Sequence, residues 1–352
     1  MEGEKVVSEE RKERRFSRTW LIVGLIIVLL FVYQIPMPYY YSQPGDAVGL
    51  NEFITVEDGI GEEGEFYLTT IRQSQANLIL YAWSFLSPYR VLTPEEAVRM
   101  EGETDDDYHN RQLQAMHQSQ DAAQVAAYEA AGAEVHENGI LVTQFVDGMG
   151  AKEVLESGDI ITAVDGENIG NITELNESLE EKEAEQFAQL SVNREGNALE
   201  LDVEMVEFPE AMHHADEPTV GLGIEFPVNQ REFDPEVNVE TGDIGGPSAG
   251  LMFSLEIYNQ LTEEDLTYGL DIAGTGSIDE EGNVGRIGGV GQKVVAADNA
   301  DIDVFFAPQD TDLGDTSDYE MAVEAAEDID TPMTIVPVLE LQDAVDYLEN
   351  DV

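Results

Sequence analysis

Gly245-Gly246-Pro247-Ser248-Ala249-Gly250, running on into Leu251-Met252-Phe253 and then Leu255, Ile257 and Tyr258, is the stretch around which the chain is best read. Small residues surround one hydroxyl, and an apolar helix is predicted from Ala249 to Leu261. Glycines admit positive φ and close approach of another chain, and the unpaired N–H groups at a helix start can face a developing negative charge. The same residues also make an ordinary turn and N-cap. The role of Ser248 therefore depends on what else the sequence supplies.

A serine hydroxyl needs a base to become a nucleophile. All five histidines (His109, His117, His136, His213 and His214) precede Ser248 in polar contexts, and adjacent residues such as His213-His214 point apart on an extended chain. Neither a histidine base nor a metal site is expected. Cysteine is absent, which excludes disulfides, thiol catalysis and thiolate ligands. Beyond the N-terminal tail the only lysines are Lys152, Lys182 and Lys293, the first two in acid-rich segments. Lys293 follows the glycine loop Arg286-Ile287-Gly288-Gly289-Val290-Gly291-Gln292 and precedes Val294-Val295-Ala296-Ala297, so at least its stem is expected to be buried. A snorkelling lysine fits that pattern too. Burial of the amine itself would lower its pKa towards neutrality.

Gly246-Pro247-Ser248-Ala249-Gly250 and Gly288-Gly289-Val290-Gly291-Gln292-Lys293, about forty-five residues apart, resemble the paired motifs of the Lon protease domain. The resemblance implies a serine-lysine dyad, with Ser248 as nucleophile, Lys293 as general base and then acid, and Thr275 in Ala273-Gly274-Thr275-Gly276 orienting the amine. Backbone around Ser248 (Gly246, Pro247, Ser248 and Ala249) is expected to hold the oxyanion. One departure is Gly245, where many Lon enzymes carry an acid. No G-x-x-x-x-G-K-[ST] phosphate loop occurs, so cleavage of polypeptide substrates without ATP, and without any cofactor or metal, is expected. The competing reading is a catalytically silent, membrane-tethered adaptor. Related proteolytic domains form rings; no residue here decides for a homo-oligomer.

Upstream, Ser157-Gly158-Asp159-Ile160-Ile161-Thr162-Ala163-Val164-Asp165-Gly166, with the strand Gly139-Ile140-Leu141-Val142 before it, resembles the strongest local motif of PDZ domains. That likeness implies a peptide groove beside a sheet edge. By analogy it lies between a strand near Gly132-Ala133-Glu134-Val135 and the predicted helix Ile172–Leu179. Ala133 and Glu134 depart from the more apolar loop usual there.

Residues 1–19 form a basic tail, and residues 20–41, from Trp20 to Tyr41, read as a single transmembrane anchor. Trp20 and Tyr39, Tyr40 and Tyr41 would form its aromatic belts, and the tail would sit in the cytoplasm. A cleavable signal peptide is the alternative, but no A-x-A-like site follows. The expected organisation is α+β: tail 1–19, anchor 20–41, a β-containing extracytoplasmic region with a helix over 42–131, a PDZ domain over 132–208 and a Lon-type proteolytic domain over 209–352. The order of anchor, PDZ and protease resembles the YlbL-type membrane-anchored bacterial proteases.

The formal charge is −58, and after Arg18 ten bases face sixty-nine acids. Such a surface repels nucleic acid, which is excluded as a partner. The acids are evenly spread, as on a surface solvated at high salt. At about 1 M salt the screening length falls to roughly 3 Å, relieving self-repulsion. The melting temperature is therefore expected to rise between about 0.1 M and 2 M chloride. Equal values would sink the salt-adaptation reading.

Overall fold

The computed structural model describes residues 20–24, 26–27, 33–61, 63–100, 102–209, 212, 219–242, 244–309, 316–350 and 352. Among them no helix is long and apolar enough to cross a membrane. The expected anchor falls partly on residues 25 and 28–32, outside the described residues, and its last six residues do not belong to it. Pro36 to Tyr41 open a strand in which Tyr40 and Tyr41 are buried.

Along the chain come β1 (Pro36–Gly49), β2 (Ile54–Val56), β3 (Glu65–Asn77), α1 (Leu78–Ser84), β4 (Val91–Pro94) and α2 (Asp105–Ala131). Next are β5 (Glu134–Leu141), β6 (Gln144–Phe145), α3 (Gly150–Val154), β7 (Ile160–Val164), β8 (Glu167–Asn168), α4 (Ile172–Leu179), β9 (Phe187–Arg194) and β10 (Asn197–Glu204). The short β11 (Val206–Glu207), β12 (Val220–Gly221) and β13 (Ile224–Glu225) lead to β14 (Val228–Asp234). The remainder is β15 (Val237–Val239), α5 (Gly250–Leu261), β16 (Asp271–Gly274), β17 (Ser277–Ile278), β18 (Val284–Gly285), α6 (Val290–Asp298), β19 (Val304–Pro308), α7 (Asp318–Ile329), β20 (Thr334–Val338) and α8 (Leu341–Asn350).

These elements form two compact units, one of residues 1–131 with 237–352 and the other of residues 132–236. This differs from the expected boundaries in two places. Residues 42–131 do not stand apart, because β1, β3 and β4 belong to a six-stranded sheet of order β20-β19-β16-β3-β1-β4. Phe66 pairs with Ile272 and Leu68 with Gly274 in parallel register. The other difference lies at residue 209, since β14 completes the sheet of the 132–236 unit, of order β10-β9-β7-β5-β14. Local patterning finds strands but carries no information about partners roughly one or two hundred residues away, and both differences have that cause. Pro44-Gly45 lies within β1, at a register shift against β3.

Each unit has its own apolar core. In the first, Ala273, Val290, Val294, Phe305, Ala322 and Met333 cluster, with β16 and β19 buried as parallel strands usually are. In the second, Ile140, Ile161, Leu175, Leu190, Val192 and Val203 cluster. Asp159 is fully buried there. Burial alone would raise its carboxyl pKa, but two bonds from Arg194 and one from the Glu156 N–H outweigh that and hold it below the usual range. Helix starts follow side-chain chemistry: Asn77 caps α1, Asn171 caps α4, and Ser317 with Glu320 forms a reciprocal box at α7.

A polypeptide of residues 209–352 lacks β1, β3, β4 and α2, leaving β16 without one of its two neighbours. It is expected to show no cooperative thermal transition, and Phe66→Ala in the whole chain to cost about 3–5 kcal/mol. A sharp transition in the fragment, read by near-UV circular dichroism, would refute this division.

Candidate active site

Lys293 lies one turn into α6. Its helix starts at Gly289, whose φ of +75° suits glycine and where a Cβ would come within 2.4 Å of Ile71 Cδ1. The residue is only 3% exposed, and Val290 and Val294 of the same helix belong to the apolar core. Its Nζ donates to Ser248 Oγ at 2.6 Å and to Thr275 Oγ1 at 2.8 Å. Thr275, fully buried just past β16, donates in turn to the Ser248 carbonyl at 3.0 Å. The Gly276 N–H reaches the same carbonyl at 3.1 Å. The structure thus brings Ser248, Lys293 and Thr275 into one hydrogen-bonded set.

Burial pushes the Lys293 pKa down from 10.5 to about 7, while the Asp318 carboxylate acts weakly in the opposite direction. That change corresponds to roughly 5 kcal/mol in favour of the neutral amine. Asp318 is itself fully buried at the start of α7. It accepts from the Ile287 N–H at 2.8 Å and lies 3.6 Å from Arg286 Nε, which fastens the glycine loop leading to Lys293.

Of the four residues expected around the oxyanion, two cannot serve as donors. The Gly246 N–H already donates to the Gln112 carbonyl at 2.9 Å, and Pro247 has no N–H. The N–H groups of Ser248 and Ala249 have no other acceptor among the described residues. Gly246 itself takes φ +95°, and α5 begins just past Ala249.

Sequence reasoning missed α2, which was read as a polar helix without chemistry. Its buried face carries Met116, Ser119, Gln120 and Ala123 at helical spacing. Besides the Gln112 carbonyl, Ser119 Oγ donates to the Pro247 carbonyl at 2.9 Å, and Gln120 Nε2 donates to Thr241 Oγ1 at 2.7 Å. The helix therefore grips the segment before Ser248 at three points. Ser119 and Gln120 within an otherwise alanine-lined buried stripe were the available signal. His109 and His117 lie on the same helix, and no group of three His, Asp or Glu at metal-binding geometry occurs among the described residues. His213 and His214 lie outside them.

In the other unit, Glu134 and Val135 of β5 pair with Asp234 and Phe233 of β14. The strand expected to receive a peptide at Gly132-Ala133-Glu134-Val135 is thus the penultimate one, and the sheet ends at β14. The start of α4 is tied to that terminal strand, the Ile172 N–H donating to Asn229 Oδ1 at 2.8 Å.

Residues 130–205 match the family described as PDZ domain, and residues 222–347 match that described as Lon protease (S16) C-terminal proteolytic domain. A Lon protease of Aster yellows witches'-broom phytoplasma (strain AYWB) is 32% identical over 98 residues, which is 28% of this chain and 11% of that protein. The chain thus spans about a tenth of the curated relative it matches. Among solved structures, the PDZ domain of an SdrC-like protein from Listeria monocytogenes is 22% identical, with a TM-score of 0.22, over 25% of this chain and 85% of that one. A solution structure from Geobacillus thermodenitrificans is 28% identical, with a TM-score of 0.22, over 25% of this chain and 97% of that one. The chain therefore carries a region similar to PDZ domains, followed by one similar to the C-terminal proteolytic domain of Lon proteases.

Proposed function

We propose that this protein is a membrane-anchored serine endopeptidase of the YlbL type that works without ATP, using Ser248 and Lys293 as a catalytic dyad. The observation that carries the reading is the 2.6 Å contact of Lys293 Nζ with Ser248 Oγ, in a setting that holds the amine pKa near 7. In the cycle, neutral Lys293 removes the Ser248 proton as Oγ bonds to a peptide carbonyl carbon. The Ser248 and Ala249 N–H groups receive the oxyanion, each such donor being worth about 3 kcal/mol. Lys293 then delivers the proton to the departing amine, and water, deprotonated by the same lysine, hydrolyses the ester. Thr275 keeps the amine aimed by accepting one of its hydrogens while its own hydroxyl is committed to the Ser248 carbonyl.

Substrate capture fits the outer edge of β14, where an extended peptide would add as a further strand beside α4. Pro227 precedes this strand and no proline interrupts it, so its N–H groups can serve. The anchor in this reading is the apolar run ending at Ile35, immediately before β1, with the tail cytoplasmic and both domains on the far side. Counted from Trp20 it has 16 residues, just under the roughly 17 at the short limit for a span.

Ser248→Ala and Lys293→Ala are each expected to lower kcat/KM on an unfolded protein substrate by on the order of 10⁴ or more, with the fold intact. Wild-type rates in either variant would end the dyad reading. Because the base must be neutral, kcat/KM should be flat above pH 7 and fall about tenfold per pH unit below it. A profile that instead declined as pH rose through 7 would contradict the assignment. Ser119→Ala, which releases the Pro247 carbonyl, should reduce kcat about tenfold with KM unchanged. An unaltered kcat would remove α2 from the positioning of Ser248.

A further inference from the structure

Acidic residues make up roughly one residue in five of this chain, yet residues 66–94 contain none and carry Arg72 and Arg90. A second acid-free stretch runs from residue 16 to residue 45. The fold brings the two together. Pro36, the first residue of β1, pairs with Asn77, the cap of α1, and Tyr39 pairs with Pro94 at the end of β4. Paired strands lie about 5 Å apart, so α1 starts one strand spacing from where the apolar run ends at Ile35.

At this end of the sheet Leu78, Ile79, Trp83, Phe85, Leu86 and Val91 are each at least 40% exposed. They are not loosely held. Asn77 Oδ1 accepts from the Ile79 and Leu80 N–H groups, and the Tyr81 ring packs against Tyr39 and, edge-on, Phe85. The Arg90 guanidinium lies 4.6 Å over the Trp83 ring. A rigid apolar surface with tryptophan, tyrosine and arginine at its margin, cleared of acids in a protein otherwise crowded with them, has the chemistry of a lipid interface.

We infer that α1 and the Phe85-Leu86 turn after it insert into the headgroup region of the bilayer, on the face from which β1 emerges. This rests on the proposed anchor and adds a second membrane contact, fixing the orientation of the sheet that carries Thr275. The apolar run up to Ile35 says which occupant covers the surface: the bilayer holding that run is already adjacent to Pro36.

The two tryptophans, Trp20 and Trp83, allow a direct test. The full chain is reconstituted in vesicles of phosphatidylcholine and phosphatidylglycerol containing lipids brominated at shallow acyl positions. Trp20→Phe leaves Trp83 as the reporter of α1, and Trp83→Phe leaves Trp20 as the reporter of the anchor. Trp83 emission is expected to shift to the blue and to be quenched, and adding Phe85→Asp with Leu86→Asp should abolish both effects while the far-UV spectrum is unchanged. Quenching of Trp20 with none of Trp83 would overturn the docking while leaving the anchor in place. Quenching of neither would overturn both. A blue shift of Trp83 that grows with protein concentration but is indifferent to bromine would assign the surface to a second copy and overturn the lipid assignment.

Discussion

The proposed dyad rests on one lysine kept away from carboxylates in a protein that has sixty-nine of them beyond its N-terminal tail. Of the ten bases after Arg18, Arg72, Arg99, Arg111, Lys152, Lys182, Arg194, Arg231 and Arg286 each pair with an acid. Arg90 lies over Trp83. Lys293 instead meets two hydroxyls, and among the described residues no acid comes within ion-pair distance. That difference has chemical weight. The Asp147 carboxylate raises the Lys152 pKa, whereas desolvation takes Lys293 down to about 7. A lysine that must act as a base near neutrality has to be dry and nearly uncompensated.

Keeping Lys293 dry requires elements from both ends of the sequence. The strand leading to Thr275, β16, is covered on one side by β19 and on the other by β3, so the pocket floor is continuous only when residues 65–77 are in place. From above, α2 holds the segment running into Ser248 through the Gln112 carbonyl, Ser119 and Gln120. The match to the Lon-type family begins at residue 222 and includes neither β3 nor α2. The 132–236 unit is accordingly an insertion between α2 and β15, both of which belong to the first unit. Its edge strand β14 stops two residues before β15.

Much of this was legible in the sequence where the signal was local. The helix Ile172–Leu179 follows from its Asn171 cap and its apolar spacing, and α2 from three aspartates in its first turn. The grouping of Ser248, Lys293 and Thr275 was legible only through the resemblance of the two glycine-led motifs, and of Ala273-Gly274-Thr275-Gly276 between them, to the Lon protease domain. What stayed hidden was long-range pairing. Nothing in Phe66-Tyr67-Leu68 indicates that its partner is Ile272, and nothing in Val228–Asp234 reveals that it caps the sheet begun at Glu134. Gly246 and Pro247 drop out of the expected oxyanion donors for a different reason. A motif gives residue types, whereas a free N–H is known only once every competing acceptor, here the Gln112 carbonyl, has been located.

The distribution of acids carries a further argument about the molecule as a whole. An evenly acidic surface is a solvation device, and its value depends on facing water and salt. Where a segment must face something else, the acids become a cost, because each carboxylate brought to an apolar medium loses its hydration. In this chain the long gaps at 16–45 and 66–94 coincide in space at one end of one sheet, although they are separated by twenty residues that carry seven acids. Core burial does not account for the gap, since Trp83, Phe85 and Leu86 are exposed rather than enclosed. Two separate stretches cleared of acids and joined by strand pairing are the pattern expected of a surface turned away from the aqueous phase.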